Sequence, residues 1–222
     1  MSDGSWNPLP EESLKDPSTV AEPQGSIAPP RPPLDRLVHA ITERVAAAIV
    51  DWDWITPNGI SFFSAAVGGL LAGWLILQHQ YLLAVGAIAL SGIFDCLDGD
   101  LARAREMASG EGEILDSVLD RYVDFFLVAA MILVSPNEYV IPGLLALLGT
   151  TLVPYIRARV EAAGKKTVSS IGSRSTRTIL IIIGLLTGQI LPLLIVLAVI
   201  SNIAAVHRFA FALSKPNSED VD

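Results

Sequence analysis

Four aspartates in the stretch "GIFDCLDGDLARAREMASGEGEILDSVLDRYVDFFLVAAMILV", residues 92 to 134, carry the strongest chemical signal in the chain. Asp95 and Asp98 are three residues apart, and Asp116 and Asp120 are four apart, so on helices each pair shares a face. The two pairs flank one short loop. If the helix ending near Arg103 and the helix starting near Glu113 run antiparallel, all four carboxylates converge at one end. Four carboxylates around one point repel strongly unless cations offset them. Oxygen-only ligands suit Mg2+, Mn2+ or Ca2+, and carboxylates shared by two ions about 4 Å apart form a clamp suited to phosphoryl chemistry. Gly99 follows Asp98 directly, Gly110 and Gly112 lie in the loop, and Arg103 stands one turn along from Gly99, where it can meet a phosphate. A lone intramembrane Asp has a simpler explanation, an interhelical hydrogen bond, but four at this spacing do not.

The elements that position these residues follow from composition. The chain has 222 residues, 51% hydrophobic and 17% charged, which indicates a membrane protein. A single cysteine, Cys96, excludes a disulfide framework or a Cys-based metal cluster and is expected to be a packing residue. The formal charge of −8 argues against a nucleic-acid partner, although much of the acid lies in "PEESLKD" and "NSEDVD" near the two ends. Residues 1 to 33 are polar and proline-rich rather than a basic stub followed by an apolar run, so they are expected to be a disordered cytoplasmic tail without a secretory signal. From 34 to 55 the spacing of Leu34, Leu37, Val38, Ile41, Val45, Ile49 and Trp52 predicts an amphipathic helix on the membrane surface, with Trp52 and Trp54 at headgroup depth.

"TPN" at Thr56–Asn58 reads as a helix start, and six apolar stretches follow at 58–78, 81–103, 113–135, 138–160, 175–189 and 190–212. Each approaches the roughly 20 residues needed to cross hydrocarbon. "GQILP" around Gly188 is either a tight turn or a kink in one longer segment. Gly68, Gly69 and Gly73 mark close helix packing. The expected architecture is all-α: a six-helix transmembrane catalytic domain over 56–213 and an acidic tail over 214–222. With six crossings, all 15 Lys and Arg fall on one side, which the positive-inside rule makes cytoplasmic. The aspartates then face the cytoplasmic half of the bilayer.

"DCLDGDLARAREMASGEGEILDSVLD" resembles the signature of the CDP-alcohol phosphotransferases, D-x-x-D-G-x-x-A-R, eight residues, G-x-x-x-D-x-x-x-D. Asp95, Asp98, Gly99, Ala102, Arg103, Gly112, Asp116 and Asp120 fill every fixed position. The resemblance covers about residues 34 to 212. It implies a multi-pass enzyme of the cell membrane, usually a homodimer, that moves a phosphoryl-linked group from a CDP-alcohol to a second alcohol and releases CMP. Asp95, Asp98 and Asp116, with Asp120 as neighbour, would hold two divalent cations, Mg2+ or Mn2+. Asp120 would also be the catalytic base. Asp98, Gly99, Ala102, Arg103, Ser109 and Gly112 would line the CDP-lipid donor, with Pro57 and Asn58 closing over it.

The stretch "YIRARVEAAGKKTVSSIGSRSTRTILIII", residues 155 to 183, brings Arg157, Arg159, Lys165, Lys166, Arg174 and Arg177 to one loop and its flanking helix ends. Topology alone explains some of these charges. Arg157, Lys165, Lys166, Arg174 and Arg177 are nevertheless candidates for binding an acceptor phosphate, because Arg meets phosphate through a forked pair of donors. Locally these segments resemble the branch making phosphatidylinositol phosphate and archaetidylinositol phosphate, which implies inositol 1-phosphate as acceptor and glycerol 3-phosphate as the alternative. Ser173 and Thr176 stand where that branch often has an acid. Arg121 and Asp124 are expected to pair structurally at i, i+3, and His39, His79 and His207 carry no motif. A divalent-cation transporter would also use intramembrane acids, but it leaves the fixed Gly99, Ala102, Arg103 and Gly112 unexplained.

Overall fold

A computed structural model describes residues 33–163 and 174–214, all helix or connection, with no strand among them. The contacts described below lie within residues 37–214. The helices are α1 (Pro33–Ile49), α2 (Pro57–Ala65), a π-helical segment (Ala66–Leu71), α3 (Ala72–Leu77), α4 (Tyr81–Ala104), α5 (Gly110–Val134), α6 (Pro136–Ala162), α7 (Arg174–Thr187) and α8 (Ile190–Leu213).

Four helical stretches are long and apolar enough to cross a membrane: Pro57–Leu77, Tyr81–Ala104, Pro136–Ala162 and Ile190–Leu213. They agree with four of the six expected crossings. The other two helices differ for identifiable reasons. α5 has 25 residues but carries the acids of the signature, and α7 has 14 residues, only about 21 Å of helix. Large apolar side chains such as Leu82, Leu144, Val199 and Ile203 are exposed on these helices, as hydrocarbon contact requires and water would not favour.

Local chemistry sets the boundaries. Thr56 caps α2, its hydroxyl accepting the Gly59 N–H at 3.1 Å, with Pro57 in the first turn, as "TPN" suggested. Ser109 caps α5 by accepting the Gly112 N–H at 3.2 Å, which starts that helix slightly before the apolar run does. Gly188 has φ +66 and lies between α7 and α8, so "GQILP" is a tight turn between two helices and not a kink. The glycines of the first crossing allow close packing. A Cβ on Gly68 would lie 2.2 Å from Ser91 Oγ, and one on Gly69 would lie 3.3 Å from the Val123 Cα. The π-helical segment falls at this contact with α4 and α5.

On α1 the apolar stripe is divided. Thr42 and Ala46 are buried, and Ala46 shares a small core with Ile60, Leu97 and Leu101. Ile41 and Val45 remain exposed, as do Trp52 and Trp54, whose rings stack at 5.8 Å. Arg105, just past α4, binds the end of α1 and the following turn. Its guanidinium donates to the carbonyls of Ile49 (3.1 Å), Val50 (2.9 Å), Trp52 (3.0 Å) and Ile55 (2.6 Å). The Ile49 and Trp52 carbonyls also accept the turn N–H groups of Trp52 and Ile55, and the one cation completes the end.

Candidate active site

α4 and α5 run antiparallel about the connection at 105–109, which brings the C-terminal end of one to the N-terminal end of the other. Asp95, Asp116 and Asp120 each offer a carboxylate oxygen within 4.8 Å of the others. Asp98 is buried, accepts a hydrogen bond from Ser61 Oγ of α2, and lies within electrostatic reach of Asp95 and Asp116. The four acids therefore converge as their spacing implied. Three hard oxygen donors at this separation fit a divalent cation of the Mg2+ or Mn2+ type.

A guanidinium stands among them. Arg174, the first residue of α7, donates to both oxygens of Asp95 at 2.8 and 3.1 Å and lies 2.7 Å from Asp120 Oδ1. The forked geometry explains why an arginine at a helix start is drawn to a pair of carboxylates. Arg174, a candidate for the acceptor phosphate, thus lies at the acidic cluster itself.

The remaining predicted residues divide into groups. Gly99 carries the Arg103 guanidinium above it, with Arg103 Nη1 3.5 Å from where a Cβ would sit. Ala102 lies on the same last turns of α4. Ser109 and Gly112 are joined in the α5 cap, and Pro57 and Asn58 open α2. Arg157 is exposed and pairs with Glu161 at 2.8 Å. Arg177 is buried and bound to Asp124 at 2.8 Å, a turn below the cluster. Asp124 also takes Arg121 Nη1 at 3.0 Å, the pair expected from their spacing. Lys165 and Lys166 lie outside the described residues.

Several contributors were not anticipated. Ser61 holds Asp98, and no motif marks it. Arg208 on α8 lies within electrostatic reach of Arg157, Arg177 and Glu161, so a third helix adds a cation to the basic region. A lone Arg near a helix end reads in sequence as topology alone. Asp100 occupies a variable position of the signature yet is almost fully buried.

The fold and site together define an integral membrane protein with a polycarboxylate centre suited to metal-assisted phosphoryl chemistry. Residues 54–212 match the CDP-alcohol phosphatidyltransferase family, and the chain belongs to it. An archaetidylinositol phosphate synthase of Methanothermobacter thermautotrophicus is 33% identical over 187 residues, 82% of this chain and 91% of the relative. A bifunctional IPC transferase and DIPP synthase of Aquifex aeolicus is 32% identical over 182 residues, 77% of this chain but 41% of that longer protein. Phosphatidylinositol phosphate synthase of Mycobacterium tuberculosis, solved with CDP-DAG bound, superposes with a TM-score of 0.73 at 22% identity, covering 82% of this chain and 98% of that one. The same protein solved with manganese and citrate gives 0.72 at 24% identity, covering 82% and 92%. These likenesses to the solved structures extend the fold over the region containing the site.

Proposed function

We propose that the protein transfers a phosphatidyl or archaetidyl group from a CDP-linked lipid to the hydroxyl of inositol 1-phosphate, releasing CMP. The observation that carries this reading is the convergence of Asp95, Asp116 and Asp120 within 4.8 Å on a fully matched family signature. The names of the relatives point to inositol phosphate as acceptor and to CDP-diacylglycerol or its ether-lipid counterpart as donor.

Each residue then has a definable task. Asp95, Asp98, Asp116 and Asp120 hold two divalent cations, Mg2+ or Mn2+; the manganese-bound neighbour supports the metal type. When bound, the cations neutralise the diphosphate and the charge left on departing CMP. Asp120 takes the proton of the acceptor hydroxyl. The hydroxyl oxygen attacks the β-phosphorus, the bond from that phosphorus to the bridging oxygen breaks, and its electron pair leaves with CMP. Arg103, with Gly99, Ala102, Ser109 and Gly112, lines the CDP moiety, and Pro57 and Asn58 close it from α2. Arg157, Arg174, Lys165 and Lys166 form the basic region that receives the acceptor phosphate, Arg177 braces it from below through Asp124, and Arg208 extends it.

The setting we propose is a multi-pass protein of the cell membrane with six crossings, α5 and α7 completing the four most apolar ones. α1 lies at the interface on Ile41, Val45, Trp52 and Trp54, and the active site opens to the cytoplasm. The tails over 1–33 and 214–222 flank this domain, and the homodimer is taken from the family resemblance.

Detergent-purified protein supplied with Mn2+ or Mg2+, CDP-diacylglycerol or CDP-archaeol, and labelled inositol 1-phosphate or glycerol 3-phosphate tests the reading. Metal-dependent CMP release with inositol 1-phosphate is the expected result. Release only with glycerol 3-phosphate would move the acceptor assignment, and ion flux through proteoliposomes without CMP release would replace the enzyme by a transporter.

A further inference from the structure

Asp100 belongs to none of the roles above. It lies between Gly99 and Leu101 on α4, and its side chain is 2% exposed. A carboxylate so buried is stable only with partners, and it has three. Thr42 Oγ1 of α1 donates to one oxygen, Arg103 Nη2 donates to the other, and His39 Nδ1 of α1 lies 3.3 Å from both. Two of these partners come from the surface helix and one is the arginine of the signature.

An i, i+3 ion pair on an exposed helix face does little, because two free side chains must be ordered to make it. Here one side of the pair is already ordered. Thr42 is 1% exposed, so its hydroxyl holds Asp100 from a side closed to water, with His39 beside it. Arg105 ties the end of α1 to the same end of α4 through four carbonyls, so the seam between these helices is fixed at two points. Arg103, whose side chain is 58% exposed, would otherwise sample many rotamers. Its guanidinium instead lies above Gly99, one N–H spent on Asp100 and the others free to face a ligand.

We infer that Asp100 is a positioning residue: braced by Thr42 and His39 of α1, it holds the Arg103 guanidinium above Gly99 in the place where the donor's diphosphate arrives. The inference rests on the reading of Arg103 as a ligand of the CDP moiety. It gives α1 a second task besides lying on the membrane, because the arginine is preorganised by a helix that contributes no signature residue. Preorganisation of this kind shows as donor affinity and leaves the acceptor untouched.

The test compares Asp100→Asn, Thr42→Val, Arg103→Ala and the double variant Asp100→Asn/Arg103→Ala in detergent-purified protein. The measurements are KM for CDP-diacylglycerol, KM for the acceptor, kcat, and the dissociation constant of CDP. Asp100→Asn is expected to raise donor KM and CDP dissociation constant about tenfold while acceptor KM stays within about twofold. Thr42→Val moves the donor constants in the same direction by about threefold, and it stands in if Asp100→Asn does not fold. In the Arg103→Ala background Asp100→Asn adds nothing further, as expected if it acts only through that arginine. Additive losses in the double variant, or donor and acceptor constants that worsen together, would reduce Asp100 to a structural residue and overturn the inference. So would unchanged donor binding in Asp100→Asn when Arg103→Ala weakens it. If Arg103→Ala leaves donor binding unchanged, the assignment of Arg103 falls first and the inference falls with it.

Discussion

Two groups of acids and arginines lie about one helical turn apart on α5 and α7, and they are stocked in opposite proportions. The outer group has Asp95, Asp116 and Asp120 around Arg174, with Arg121 of the inner group reaching Asp120 only at 3.8 Å, so carboxylates outnumber guanidiniums. The inner group has Asp124 between Arg121 and Arg177, one carboxylate to two guanidiniums. The outer group is partly open, with the Arg174 side chain 40% exposed, whereas that of Arg177 is 4% exposed. A buried charge needs a close partner, because water cannot supply one; Arg177 has Asp124, and Arg121 is shared between Asp124 and, at 3.8 Å, Asp120. A partly open group can remain acidic and take its missing charge from solution. The same residue types thus make a structural brace in one place and a cation-seeking centre in the other.

The comparison breaks most visibly at Asp120. Asp120→Asn removes the proposed base and one oxygen ligand while keeping the shape, so turnover is expected to fall by about a thousandfold or more while CDP-lipid binding is largely retained. Steady-state CMP release and CDP-lipid binding, measured side by side, check this. Undiminished turnover would remove Asp120 as base. In the inner group the corresponding lesion acts on folding. Arg177→Met leaves Asp124 with Arg121 alone, a loss of about 3 kcal/mol, at the low end for a broken buried pair. An apparent melting temperature lower by roughly 6 to 12 °C is expected in detergent. The metal affinity of the folded fraction should stay near that of the parent, and a large change in it would merge the two groups into one functional unit.

The parts that were legible in the sequence share a cause. Apolar runs, the "TPN" cap and the signature spacing are local patterns, and local patterns survive into the fold; the six apolar stretches coincide with helices from α2 to α8 within a few residues, four of them long and apolar enough to cross a membrane. The four aspartates converge because antiparallel neighbours leave them no other place. What was hidden depends on contacts across the chain. The π-helical segment arises where Gly68 and Gly69 meet α4 and α5. Asp100 sits at a variable position, and its burial is set by α1, 58 residues earlier in the chain. Arg174 and Arg177 looked alike in a basic segment. Only the packing of α7 on α4, which brings its arginines to the carboxylates of α5, directs one to the open acids and the other to Asp124.

Arg174 therefore offers the finest test of the difference between the groups. Its guanidinium is bound to Asp95 and Asp120, with Arg121 Nη2 a weaker second cation 3.8 Å from Asp120 Oδ2. A divalent cation taken up by the same carboxylates must compete with it, since both need the same oxygens. Once displaced, Arg174 has the reach of a long side chain at a helix start and a forked set of donors for a phosphate. Arg174→Ala is thus expected to have two effects of opposite sign. Acceptor KM should rise about tenfold with donor KM little changed, because a phosphate loses a bidentate partner. Mn2+ should bind the variant a few-fold more tightly than the parent, because a competitor worth about 1 kcal/mol is gone. Calorimetric titration of Mn2+ without substrates reads the second effect independently of turnover. Weaker metal binding in the variant would mean that Arg174 supports the carboxylates, as Arg177 supports Asp124, and the contrast between the open and the buried group would disappear.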